Sequence, residues 1–166
     1  MRQLIAIIAA GLVGLFAHGA EAQQPSEESA CVSVVIFPAL GEALQSFFGY
    51  TTGDYITNNM TLTEQFFTAA SGPKYVCPQP SGGRLFYGRR HRSGFERAAV
   101  YLDRDDRVQF VALRHHSCGP DGCSQRATIT VFLSQDPTDA AALVTAILRL
   151  TEALPDAAFE VRRVEP

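Results

Sequence analysis

The sequence predicts an α+β fold, with an antiparallel sheet of about five strands packed with two or three helices. Two observations lead to this fold. Short apolar runs separated by clusters of Gly, Pro and Asp are typical of an antiparallel meander, and they occupy residues 84–87, 97–102, 108–114 and 126–133. Apolar residues at helical spacing precede and follow these runs, so helices are expected to cover the sheet.

The chain begins with the pattern of a secretory signal peptide. Arg2 precedes an apolar run over residues 4–17, and Ala20-Glu21-Ala22 is a typical cleavage site. The run is shorter than the roughly 20 residues of a membrane-spanning helix. We therefore predict an exported protein that does not span the membrane, periplasmic if bacterial and otherwise secreted, with a signal peptide (1–22), a flexible leader (23–30) and a single α+β domain (31–166).

Local signals place the first elements of the domain. Residues 32–37 are rich in β-branched and aromatic side chains and predict a buried strand. Residues 39–48 predict a helix because their apolar side chains recur at helical spacing and Gly49 follows as a cap. Thr61 and Glu64 have the spacing of a capping box and predict the start of a second helix.

The second half of the chain continues the same pattern. Asp103-Arg104-Asp105-Asp106 is typical of a hairpin turn in which Asp side chains bond the local backbone, so these carboxylates need no metal ion. Asp136-Pro137 predicts the start of a third helix that runs to about Ala153 and has Val144 and Leu148 on its broad apolar face. Residues 159–164 predict a last strand.

Cysteine content and charge indicate the expected disulfides and the expected class of partner. The mature chain has four cysteines, and in an oxidising compartment an even number favours disulfides. The most economical of the three possible connectivities joins Cys118 to Cys123 and Cys31 to Cys77. Residues 74–126 carry ten basic and five acidic residues, but the chain has a formal net charge of −3, so no general affinity for nucleic acid is implied.

The densest group of chemically active side chains is predicted to lie on an exposed loop between two strands. It comprises Arg114, His115, His116, Ser117, Cys118, Pro120, Asp121, Cys123 and Arg126. Three interpretations are open. The imidazoles and thiols would suit zinc or copper, although adjacent histidines on a strand point to opposite faces. Cys118 or Ser117 would be a nucleophile with a histidine as base, although a disulfide would consume the thiol. A disulfide-closed turn would form a rigid recognition loop.

The stretch from Cys118 to Arg126 resembles the C-x-P-x-x-C loop, followed shortly by S-Q-R, of the bacterial inhibitor-of-vertebrate-lysozyme family. In that family the disulfide-closed loop enters the active-site cleft of lysozyme. The resemblance implies that Pro120 and Asp121 would occupy such a cleft while Arg126 anchors the base of the loop. Asp121 stands where the family has a histidine, so it would meet the lysozyme carboxylates with like charge unless it is protonated or neutralised by Arg114 or His116.

A second basic feature lies in residues 84–97. Its basic residues are interleaved with aromatic ones, as in surfaces that bind phosphates or carboxylates. The basic residues are Arg84, Arg89, Arg90, His91, Arg92 and Arg97, and the aromatic ones are Phe86, Tyr87 and Phe95. We predict Arg89, Arg90 and Arg92 as an anion-binding site for an exported partner. The alternative is a solvated hairpin loop whose arginines serve solubility.

The sequence favours an exported binding protein over an enzyme. We assign no catalytic residue, metal or cofactor, and we expect the partner to be another envelope or extracellular macromolecule. The predicted partner-binding residues are Pro120, Asp121, Arg114, His115, His116 and Arg126. Two alternatives stay open: a metal-binding or hydrolytic exported protein that uses the histidines and cysteines, and a structural envelope component without a ligand.

Overall fold

The computed structural model describes residues 31–35, 39–119, 122–134, 138–151 and 156–164. Within them the chain forms three helices, which are α1 (Leu40–Phe48), α2 (Leu62–Ala69) and α3 (Ala140–Thr151). The strands are β1 (Val32–Val34), β2 (Thr52–Gly53), β3 (Met60–Thr61), β4 (Lys74–Pro78), β5 (Arg84–Arg89), β6 (Arg97–Leu102), β7 (Val108–Gly119), β8 (Gly122–Leu133) and β9 (Ala158–Arg163). The predicted signal peptide and leader lie outside the described residues.

Seven strands form one mixed sheet in the order β1-β4-β5-β6-β7-β8-β9, and β2 and β3 form a small sheet of their own. All pairs in the large sheet are antiparallel except β8 and β9, which are parallel. The α+β class is therefore confirmed, but the prediction of about five antiparallel strands was too low and missed the parallel pair. The pair is parallel because the chain crosses over through α3 between β8 and β9.

The first strand differs from its prediction. It covers only Val32–Val34 and lies at the edge of the sheet, where it pairs with β4 alone. Val32 is 61% exposed, so the expected buried strand is instead a short edge strand. The predicted Cys31–Cys77 disulfide is present and ties this edge strand to β4.

The hydrophobic core lies on both faces of the large sheet. One cluster joins α1 and α2 to the sheet and includes Val111 and Leu113 of β7. The other joins α3 to the opposite face and includes Phe110 and Ala112 of the same strand. Because side chains alternate along a strand, β7 contributes to both clusters, and it is the strand that leads into the site described below.

The predicted helix caps and the predicted turn at Asp103 were confirmed. The Gly49 N–H donates to the Gln45 carbonyl at the end of α1. At the start of α2, the Glu64 N–H donates to the Thr61 hydroxyl and the Thr61 N–H donates to the Glu64 carboxylate, which completes the capping box. In the turn after β6, the Asp103 carboxylate accepts from two backbone N–H groups at 2.9 and 3.0 Å.

The third helix begins later than predicted. Its first residue is Ala140, and the Asp139 carboxylate accepts from the Ala142 N–H at 2.8 Å. Asp136 and Pro137 lie outside the described residues. The helix turns the small residues Ala142 and Ala146 toward the sheet, while Val144 and Leu148 are 50% and 60% exposed, contrary to the predicted apolar face.

Candidate functional site

The predicted recognition loop is in large part a projecting pair of strands. The last residue pair that β6 shares with β7 is Arg97 with Arg114, and the pairing of β9 with β8 begins at Thr128. Residues 115–119 and 122–127 therefore pair only with each other. At about 3.3 Å per residue, this ribbon reaches roughly 15 Å beyond the sheet. We call these residues the finger.

The finger corrects the expectation of a loop over residues 114–126. Only Pro120 and Asp121, predicted to contact the partner, separate the two strands, and both lie outside the described residues. Gly122 has φ of 108°, a conformation that glycine adopts readily. The residues that follow it, from Cys123 to Arg126, are exposed.

The backbone register of the finger favours the predicted disulfide. Cys118 and Cys123 are directly opposite each other across the two strands, a separation that a disulfide can bridge. Cys123 takes part in a disulfide, and the described residues include no free cysteine. A shift of register between His116 and Cys118 marks a bulge, which increases the local twist of the strand.

His116 and Arg126 fasten the finger at its base. The His116 Nδ1–H donates to the Ser124 carbonyl across the two strands at 2.7 Å, and the edge of the Phe95 ring packs against the imidazole. The Arg126 Nε–H donates to the Asp156 carbonyl at 2.6 Å. The prediction that Arg126 anchors the base agrees with this contact, while its role toward a partner stays a prediction.

Arg114 does not lie on an exposed loop. Its side chain is completely buried under the end of α3, where Nη1–H donates to the Leu150 carbonyl at 2.7 Å. Burial lowers its pKa, and Arg97 on the neighbouring strand lowers it further. Arg114 thus contacts the end of α3, and its side chain has no surface exposed to a partner.

The predicted anion-binding arginines lie at the same end of the sheet as the finger. Arg89 and Arg92 are exposed, and Arg90 is half-buried in an ion pair with Glu96 at 2.7 Å. The turn that carries Arg90 and Arg92 contacts the finger, because Phe95 packs on His116. Two features that were predicted separately are therefore one basic surface around a projecting ribbon.

His115 lies on the opposite face of β7 from His116 and belongs to a polar cleft at the root of the finger. The cleft has a volume of about 340 Å³ and is lined by Thr52, Gly53, Asp54, Tyr55, His115, Glu160 and Arg162. His115 is only 3% exposed, so it lines the cleft from beneath rather than standing on the exposed surface that we predicted. The alternation of the two histidines follows from the strand that continues through both.

Sequence reasoning missed most of this cleft. The parallel pairing of β8 and β9 places Thr130 directly opposite Glu160, and no local pattern indicates that pairing. His115 Nε2 lies 2.9 Å from the Thr130 hydroxyl, which donates to the Glu160 carboxylate at 3.3 Å. Arg162 forms an ion pair with Glu160 at 2.8 Å and so extends the chain of contacts that runs from His115 through Thr130 to Glu160.

Burial sets the proton affinities in the cleft. It lowers the pKa of His115 below its usual 6.5, and it raises the pKa of Tyr55, whose ring packs edge-to-face on His115. The hydrogen bond to Glu160 raises the pKa of Arg162. At neutral pH the cleft therefore presents a neutral imidazole beside an ion pair.

The described residues include no group of three or more His, Cys, Asp or Glu side chains placed to hold a metal ion. None of their helices is long and apolar enough to cross a membrane. Comparison of the chain with models of known protein families, with curated proteins and with solved structures gave no match.

Proposed function

We propose that this protein is an exported binding protein that inserts its finger into a cleft of another extracellular macromolecule, and that a lysozyme is the target to test first. The observation that carries this proposal is the projection of the finger beyond both neighbouring strands. A ribbon that extends past both neighbouring strands is able to enter a concave surface that a flat sheet cannot reach.

Preorganisation supports the binding role. The finger is paired along its length, and His116 and Arg126 fix its base. The predicted Cys118–Cys123 disulfide would close its end. A rigid segment loses little conformational entropy on binding, so more of the contact energy is available as affinity.

Charge supports an anionic target. Arg89 and Arg92 are exposed beside the finger, and this surface would attract a partner that carries carboxylates or phosphates around its cleft. The resemblance of residues 118–126 to the lysozyme-inhibitor loop points to the same kind of cleft, since two carboxylates line the active site of lysozyme.

The first experiment is a cell-lysis assay with a panel of lysozymes. The protein is produced from the full sequence in an oxidising compartment, and mass spectrometry tests cleavage after Ala22 at the same time. We expect inhibition by the wild type, a loss of about tenfold or more in the Cys118→Ser/Cys123→Ser variant through lost rigidity, and stronger inhibition by Asp121→His through relief of like charge. Equal inhibition by the double variant would refute the finger as the inhibitory element. Absence of inhibition by both wild type and Asp121→His would refute lysozyme as the target.

A charge reversal distinguishes a specific contribution of the basic surface beside the finger from the effect of the net charge of the protein. Arg92→Glu beside the finger should slow association by about tenfold at low salt, with the difference vanishing at high salt. Arg104→Glu is the matched control, because Arg104 is also exposed but lies in the turn between β6 and β7, at the opposite end of the sheet. Equal effects of the two substitutions on the association rate would contradict a role for the basic surface.

A further inference from the structure

The cleft at the root of the finger contains a buried hydrogen-bonding atom that the described residues leave unused. His115 Nδ1 is shielded from solvent and has no hydrogen-bond partner among them. Its ring is otherwise fully engaged, with Nε2 at Thr130 and the Tyr55 ring against its side. Buried polar atoms are almost always paired in folded proteins, so an unpaired one at a cleft indicates a missing partner.

The neighbouring contacts define which form of the imidazole is present. The Thr130 hydroxyl has one proton and donates it to Glu160, so it accepts the hydrogen bond from His115. His115 therefore carries its proton on Nε2. Because burial lowers the pKa of His115, the ring is neutral at pH 7 and Nδ1 offers a lone pair. The missing partner must be a hydrogen-bond donor.

The cleft is lined by charges of both signs. Arg162 lies beside Glu160 in an ion pair, and Asp54 contributes a second carboxylate. A ligand of either charge would therefore meet a like charge as well as an opposite one. A hydroxyl both donates and accepts, so a ligand with several hydroxyl groups satisfies a lining of mixed charge.

The wall that carries Tyr55 is held firmly. The buried Gln65 side chain accepts from the Tyr55 and Ile56 N–H groups at 2.9 and 2.7 Å and donates to the Gly53 carbonyl. A Cβ at residue 53 would lie 2.6 Å from the Tyr55 ring, so the ring packs closely over Gly53 and would have to shift to admit a side chain there. The backbone of this wall is thus preformed, and the Tyr55 ring packs edge-to-face on His115.

We propose that this cleft binds a neutral polyhydroxyl ligand of the size of one sugar ring, and that a ligand hydroxyl donates to His115 Nδ1 after the Tyr55 ring swings aside. The volume of about 340 Å³ is at the small end of ligand sites, which fits one ring rather than a longer chain. The polar lining, with one aromatic ring, suits hydroxyl groups better than an apolar ligand. This inference is independent of the function proposed for the finger.

The test is an NMR titration of the wild-type protein produced from the full sequence. Long-range ¹H–¹⁵N spectra first report the tautomer of His115, which we expect to be protonated on Nε2. D-glucose, D-galactose, N-acetyl-D-glucosamine and D-mannitol are the neutral probes, and D-glucosamine and D-glucuronate are their charged counterparts. We expect at least one neutral probe to shift the His115 and Tyr55 ring signals with a Kd on the order of 1 mM, and charged counterparts to bind about tenfold more weakly.

Variants locate the binding. His115→Phe keeps a ring but removes the acceptor and should weaken binding about tenfold. Arg162→Gln removes a charge at the exposed rim and should weaken binding a few-fold, which keeps the test valid if His115→Phe does not fold. His91→Phe is the matched control, because His91 is exposed on the turn between β5 and β6. A proton on Nδ1, tighter binding of a charged probe, no shift with any neutral probe, or equal binding by wild type, His115→Phe and Arg162→Gln would each overturn the proposal.

Discussion

Acidification should destabilise this protein through His115, in a pH range where its carboxylates do not yet contribute. The folded state lowers the pKa of this imidazole below 6.5 because the ring is buried. A backbone hydrogen bond of His116 and the charge of Glu160 favour protonation, the charges of His116 and Arg162 oppose it, and burial has the largest effect. Below pH 6.5 the unfolded chain therefore binds a proton that the folded chain does not. Stability is complete above that pH and decreases as the pH falls toward the pKa of the folded state.

The size of this effect has an upper limit. One proton bound by the unfolded state alone changes the free energy of unfolding by about 1.4 kcal/mol per pH unit. Between pH 6.5 and 5.5 the unfolded imidazole goes from about half to about nine-tenths protonated, so His115 should lower the free energy of unfolding by at most about 1.0 kcal/mol. Asp103 and Asp139 have pKa values below their usual 3.8, each held down by hydrogen bonds that outweigh burial, so their own losses begin at lower pH.

Urea unfolding followed by circular dichroism at pH 7.5, 6.5 and 5.5 measures the effect. His115→Gln keeps a hydrogen-bonding group for Thr130 but does not titrate, so its stability should change much less over this range. The exposed His91 supplies the control, since His91→Gln should leave the wild-type slope unchanged. Equal slopes for the wild type and His115→Gln, or a wild type that gains stability on acidification, would refute the reasoning.

Three further substitutions test how the domain is held together, each by urea unfolding. Arg114→Met should raise the free energy of unfolding by about 1–2 kcal/mol, because Nε and Nη2 are buried without a hydrogen-bond partner among the described residues; a loss instead would mean that the bond to α3 outweighs desolvation. Cys31→Ser/Cys77→Ser should cost about 4 kcal/mol from the entropy of a loop with a sequence separation of 46, and a loss below about 1 kcal/mol would contradict that loop-entropy estimate. Gln65→Leu should cost about 3 kcal/mol and speed amide exchange at Tyr55, since its amide bonds four backbone groups; unchanged exchange would show that another contact holds this wall.

The elements that the sequence predicts well are those whose causes are local. The capping box of Thr61 and Glu64 and the turn at Asp103 depend on side chains that bond backbone only a few residues away. The position of Gly49 after α1 is of the same kind. Such signals are visible in a single sequence because all partners lie within one window.

The finger was mistaken for a loop for a physical reason. Its residues are polar, small or cysteine because neither edge of the ribbon has a neighbouring strand and much of its surface faces solvent. The alternation that marks a strand is produced by burial of one face, so a projecting strand does not show it. The strand structure of residues 114–126 could not be predicted, and the role in recognition that the sequence assigns to them stays a prediction.

The cleft was missed because its members are distant in sequence. Tyr55, His115 and Glu160 come from a loop held by Gln65, from β7 and from the parallel strand β9. Of these residues, only His115 was predicted to be functional, as part of the loop over residues 114–126. Its buried side chain lies in the cleft instead. A single sequence offers no signal for a parallel pairing formed after a helical crossover.

The structure also divides the arginines at this end of the molecule by task. Arg89, Arg97 and Arg114 are opposite one another on three adjacent strands. The inner two donate to the Arg149 and Leu150 carbonyls of α3 at 2.9 and 2.7 Å, at the helix end where the dipole is negative. These two side chains therefore bond the end of α3 near the root of the finger.

This division decides which substitutions can test recognition. Reversing charge at Arg97 or Arg114 would place a carboxylate against the carbonyls at the end of α3, so any loss of binding would be confounded with a loss of stability. Arg92 is exposed, so its reversal should change the charge of the basic surface while the core stays intact. If Arg92→Glu lowers the free energy of unfolding by as much as it lowers the free energy of binding, then the outer arginines also stabilise the fold. The anionic partner inferred from them then loses its support.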